Sequence, residues 1–124
     1  MDVRRNNRAL AMKLSAIHEF ALRLPEVAEQ PHFQYTSFRV RGKIFATAPP
    51  EGTHLHVFIS EDEREQALLM HAAFFKKRHW GSKVVGLRVD LSKAKLKVVK
   101  ELIRQAWTDK APNSLVIKFD EAES

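Results

Sequence analysis

The sequence predicts an α+β domain in which an N-terminal helix and a long C-terminal helix pack on an antiparallel sheet of about five strands. Three observations predict it: apolar residues at helical spacing near both ends, alternation at strand spacing between them, and turn residues separating the alternating segments. At 124 residues, 44% hydrophobic and 29% charged, the chain fits one globular domain with one core. That domain is expected over residues 1–119, with 120–124 as an acidic mobile tail.

Leu10, Leu14, Ile17, Ala21 and Leu24 recur at steps of four, three, four and three, which places them on one buried helix face. Asn6 or Asn7 can cap this helix, and Pro25 ends it because proline lacks an amide proton and disfavours helical backbone at Leu24. Phe38 and Val40 then alternate with Arg39 and Arg41, the pattern of a half-buried strand. Arg41-Gly42-Lys43 reads as a hairpin turn, with glycine tolerating positive φ, and Ile44, Ala46 and Ala48 alternate on the returning strand. Pro49, Pro50 and Gly52 make a second turn, after which Leu55, Val57 and Ile59 point one way and His54, His56 and Phe58 the other.

Ser60 precedes Glu61, Asp62, Glu63 and Glu65, a cap followed by carboxylates where the helix dipole favours them, so a second helix runs to about His71. Val84, Val85, Leu87, Val89 and Leu91 indicate one or two further strands, interrupted by Gly81 and Gly86. Ser92 is placed as the cap of the last long helix, whose buried stripe is Leu96, Val99, Leu102, Ile103 and Ala106. Pro112 ends that helix, and residues 114–119 read as a short strand or an ordered tail.

With no cysteine, disulfide frameworks, cysteine zinc sites and thiol chemistry are excluded. The apolar stretches near the N-terminus are broken by Lys13, His18, Glu19 and Arg23, which leaves no signal-peptide core or membrane span. Arg4, Arg5 and Arg8 lie ahead of an amphipathic helix as they would in a transit peptide, but the core needs that helix, so the cytosol is the expected compartment. A monomer is the expected state. No nucleophile-base pairing, metal-ligand spacing or cofactor fingerprint is present, and a non-enzymatic protein without cofactor is expected. Gly81-Ser82-Lys83 lacks the upstream glycine of a phosphate loop, because that position is Lys76.

Leu24-Pro25, then Phe38-Arg39-Val40-Arg41-Gly42-Lys43-Ile44-Phe45-Ala46, then Ala106-Trp107-Thr108-Asp109-Lys110-Ala111-Pro112 together resemble the MmcQ/YjbR family of small bacterial proteins. The resemblance covers roughly residues 8 to 115. It implies a CyaY-like α+β fold and a proposed role in DNA binding through a double-wing arrangement, and it brings no catalytic residue. The chain departs from the family pattern in two places. Asn113 and Ser114 follow the alanine-proline pair where members often carry basic residues, and Leu87 follows Gly86 where an aromatic residue is usual. Each departure removes a contact, one to phosphate and one by stacking, that the resemblance would otherwise imply.

The net charge of +6 is unevenly spread. Residues 1–50 carry +4, 51–65 carry −4, 66–118 carry +9, and the last six residues carry −3. A basic surface admits phosphate-bearing partners when several cations can neutralise successive phosphates and aromatic groups lie nearby. Lys76, Lys77, Arg78 and Lys83, around His79 and Trp80, meet that description. Arg39 and Arg41 are expected to share a strand face that Lys43 extends across the hairpin. These seven residues are the candidate contacts to DNA. The competing reading makes the lysines a solvated face and Phe74, Phe75 and Trp80 core, and it leaves room for an adaptor that binds an acidic protein or peptide on the sheet. His54 and His56 share a strand face but lack a third ligand at recognisable spacing, so they are expected to be exposed or partner-facing rather than a metal site. Trp107 is expected to anchor the core.

Overall fold

The computed structural model describes residues 3–123, with side chains from residue 8 onward. Ten elements follow in order: α1 (Val3–Arg23), β1 (Val27–His32), β2 (Tyr35–Val40), β3 (Lys43–Ala48), β4 (His54–Val57), α2 (Glu61–Met70), β5 (Phe75–Trp80), β6 (Lys83–Asp90), α3 (Leu96–Lys110) and α4 (Asn113–Glu123). The strands form one six-stranded antiparallel sheet in the order β1-β2-β3-β4-β6-β5. This is the predicted α+β plan with one strand more than expected. No helix among the described residues is long and apolar enough to cross a membrane.

Alternation decides which face of the sheet meets the helices. Phe38, Ala46, Val57 and Leu87 stand opposite one another across four strands, and Leu55, Val89 and Phe75 form a second row. All seven are buried, together with Ile17 and Ala21 of α1, Leu24 just after it, and Val99, Ile103, Ala106 and Trp107 of α3. The Trp107 indole donates to the carbonyl of Pro25 at 3.0 Å, so the ring fills the core and its one polar atom has a partner. Lys13 from α1 donates to the carbonyls of Leu91 and Ala94 at 3.0 Å each, joining the first helix to the approach to α3.

Several boundaries differ from the predicted ones for identifiable reasons. α1 begins before Asn6 and Asn7, whose side chains lie outside the described residues. Ser92 does not cap α3: its amide and hydroxyl donate to the Asp90 carboxylate at 3.0 and 2.6 Å, holding that carboxyl below its ordinary range, and Lys95 occupies the cap position without a side-chain bond. Residues 114–119, read as strand or tail, are helical. Leu115 and Phe119 lie one turn apart and turn back on α3, where Phe119 meets Trp107 with ring centroids 5.1 Å apart. Asp120 and Glu123, assigned to an acidic tail, lie on α4 and pair with Arg104.

Candidate nucleic-acid interface

The face of the sheet turned away from α1 and α3 carries polar side chains. Ser37, Thr47, His56, Arg88 and Lys76 stand opposite one another in a single row across five strands. The sheet has two register irregularities, one between β2 and β3 beside Phe38 and Arg39 and one between β5 and β6 beside Arg78 and His79. Bulges of this kind sharpen the local twist. The register also puts the β1–β2 turn and the β5–β6 turn at opposite ends of the sheet, yet residues from both line one cavity of about 560 Å³. The twist of the sheet therefore brings its diagonal corners together over the polar face.

Aromatic residues dominate that cavity: Phe33 and Tyr35 from the first hairpin, Phe58 after β4, and Trp80 from the second, with Arg78 as its cation. Phe33 is 89% exposed and Trp80 is 75% exposed. Two large apolar rings left in water at facing hairpins are not explained by core packing. Phe33 also has φ of 57°, a left-handed conformation that is unfavourable for a bulky side chain.

The floor beside the cavity is buried and polar. Ser37 donates to the Gln30 carbonyl at 2.7 Å and accepts from Arg39 at 3.0 Å. His56 is only 4% exposed, its ring centroid lies 5.9 Å from that of Tyr35, and its Nδ1 has no hydrogen-bond partner. Burial first, and then the charges of Arg78, Arg88 and His54, push its pKa down to about 4. His56 is therefore a neutral ring under a positive rim at physiological pH. The expectation that it would be exposed fails because the curled hairpins and neighbouring strands cover it.

A YjbR family model matches residues 22–109. The chain belongs to the YjbR family. The matched region takes in the whole sheet, both outer hairpins and nearly all of α3. The crystal structure of Deinococcus radiodurans protein DR2400, which contains a DUF419 domain, is similar to this YjbR-family chain with a TM-score of 0.65, covering 76% of this chain and 75% of that one. At 16% identity that likeness shows a shared fold. No curated protein sequence matches significantly.

The YjbR fold separates the seven candidate contacts. Arg39, Lys76 and Arg78 stand on the polar face. Lys83 begins β6 directly opposite Trp80, at the edge of that face. Arg41 is not on the strand, because β2 ends at Val40 and Arg41 occupies the turn with φ of 48°. It donates two hydrogen bonds to Glu26 at 3.1 and 3.0 Å, which holds the Glu26 carboxyl low and raises Arg41. Lys43 stands opposite Val40 and so extends the helix-covered face, not the surface of Arg39. Lys77 stands opposite Leu87 on that same side and lies 3.8 Å from Glu65 of α2.

Other residues of this region were not selected by the sequence. Phe33 and Tyr35 lie in a hairpin whose first strand, with four of its six residues exposed, has no alternation to detect. Trp80, read as core in the competing view, is exposed, whereas Phe74 and Phe75 are buried. Arg88 is one of the basic residues that give 66–118 its charge of +9, but only its pairing with His56 and Lys76 places it on the polar face. Leu87, where the family usually has an aromatic residue, is buried on the helix side, so that departure does not touch this site.

Proposed function

We propose that this YjbR-family protein binds single-stranded nucleic acid across the polar face of its sheet. Phe33 and Trp80 stack on bases, and Arg78, Lys76 and Arg88 neutralise phosphates of the same strand. The observation that carries this reading is the pair of exposed aromatic rings from diagonal hairpins lining one cavity with Arg78, on the sheet face that also carries Lys76 and Arg88. Aromatic platforms accept any base, and cations beside them follow the backbone, so the expected recognition has little sequence preference. A rigid duplex hides its base faces and could not use the two rings in this way.

Trp107 is buried and Trp80 exposed, so quenching of intrinsic fluorescence by a short oligothymidylate reports on Trp80. The expected result is saturable quenching that weakens steeply as salt rises, because each neutralised phosphate releases counterions. No binding at ~50 mM salt, the low end of the range over which that effect is usually followed, overturns the reading. A partner retained after nuclease treatment that competes for Trp80 would instead make this face a protein-binding surface.

A further inference from the structure

The aromatic cavity opens into a second cleft. Ile44, Phe58 and Val85 line both, and the second has a volume of about 620 Å³. Its chemistry is different: Arg64 from α2, Lys83 from β6 and Lys110 from the end of α3 enter it, against one carboxylate, Glu61. Arg64 is only 8% exposed. A buried guanidinium ordinarily has close anionic partners, because removing it from water is costly. Here its Nε reaches Glu65 at 3.4 Å, at the outer limit of a hydrogen bond, and the same carboxylate oxygen also faces Lys77. Among the described residues, Lys83 and Lys110 have no ion pair. Positive charge from three elements thus converges on a cleft that the protein itself does not neutralise.

Register ties this charge to the aromatic site. Lys83 stands directly opposite Trp80, so the two side chains leave the hairpin from Cα atoms only about 5 Å apart. Phe58, shared by both clefts, forms the boundary between them. A ligand lying across that boundary carries a flat ring on one side and concentrated negative charge on the other. An internal phosphodiester brings a single charge, whereas a phosphomonoester is close to a dianion at neutral pH, with a charge of about −1.5 to −2. Three cations against Glu61 match the monoester better.

We propose that the two clefts form one bipartite site for a nucleoside phosphomonoester, with its base against Trp80 and Phe58 and its phosphate among Arg64, Lys83 and Lys110. The proposal rests on the nucleic-acid reading of the aromatic cleft and names the unit that cleft selects: the phosphorylated end of a strand or a free mononucleotide.

The test compares oligothymidylates of one length carrying a 5′-phosphate, a 3′-phosphate or only hydroxyl ends, with free thymidine monophosphate as competitor, all by fluorescence titration at low salt. One phosphorylated end is expected to bind about tenfold more tightly than the hydroxyl-ended strand, as one or two charge-assisted hydrogen bonds would give. The Lys83→Ala/Lys110→Ala variant, which avoids the folding risk of replacing buried Arg64, erases that advantage. Arg23→Ala, on α1, retains it. Equal binding of phosphorylated and hydroxyl ends, or an advantage that survives in the double variant, overturns the proposal while the aromatic reading stands. Failure of every strand to bind overturns both. Competition by the free mononucleotide at similar concentration assigns the site to free nucleotides, and competition only by phosphorylated strands assigns it to strand ends.

Discussion

The two faces of the sheet come from the same strands, residue by residue, and have opposite properties. On the helix-covered face, Phe38, Val57, Leu87 and Val89 pack against α1 and α3 with no charged group in the buried rows. On the other, Ser37, Thr47 and His56 are also buried, but polar, under a rim of Arg39, Arg78, Arg88 and Lys76. Hydrophobic burial on one face supplies the stability that lets the other hold a neutral histidine among cations and keep two aromatic rings in water. One face is therefore read as foundation and the other as the working surface.

The two tryptophans test that division most sharply. Trp107→Ala should cost about 3–5 kcal/mol, measured by urea unfolding, because it leaves a large cavity and an unpaired Pro25 carbonyl. Trp80→Ala should change stability by less than about 0.5 kcal/mol. It should nevertheless weaken oligonucleotide binding by about 1–3 kcal/mol in a fluorescence-anisotropy titration. If Trp80→Ala unfolds the protein, the exposed ring belongs to the foundation and the division fails.

Gly86 lies where the two faces constrain each other. A Cβ there would sit 2.3 Å from the Val57 carbonyl oxygen, so Gly86→Ala must push β4 and β6 apart. The expected loss is about 1–3 kcal/mol in the same unfolding assay.

Smaller effects come from pH, and the two faces respond in opposite directions. Between the ordinary histidine value of 6.5 and about 4, the unfolded chain binds a proton that folded His56 refuses. The contribution of neutral His56 is complete above that window and declines as pH falls through it. His56→Gln should flatten this part of the stability profile, as measured by thermal unfolding between pH 4 and about 7. On the helix side, burial and the neighbouring Asp109 raise the Glu63 carboxyl to about 7, and Gln105 donates to both carboxylates at 3.2 Å. Here the folded chain keeps a proton the unfolded chain has lost, so stability declines as pH rises from 4.5 through about 7. Glu63→Gln should raise the melting temperature at pH ~8 and leave it nearly unchanged near pH ~5.

Where periodicity reaches the core, the sequence is legible. The stripes of α1 and α3, the turn around Gly42, the alternation of β4, and Ser60 as the cap of α2, accepting from the Glu63 amide at 3.3 Å, all follow from local pattern. The alternation expected for β3 is instead broken by the bulge, which leaves Phe45 in the core and Ile44 lining the aromatic cavity. β1 lacks such a pattern because it is an exposed edge strand carrying Pro31. β5 was read as a run of charge because only Phe75 of its six residues is buried. Arg41 and Lys77 illustrate the limit for the site: their charge is visible in the sequence, but their partners Glu26 and Glu65 are fixed by folding.

The sequence by itself determined the α+β class, the buried helix stripes and the concentration of cations in the second half, because spacing and charge are local properties. Only the tertiary structure decided which cations share a face, which histidine is buried, and that Phe33 and Trp80 line one cavity. Those facts depend on strand register and on the twist of six strands, and a register shift of one residue would reverse every face assignment.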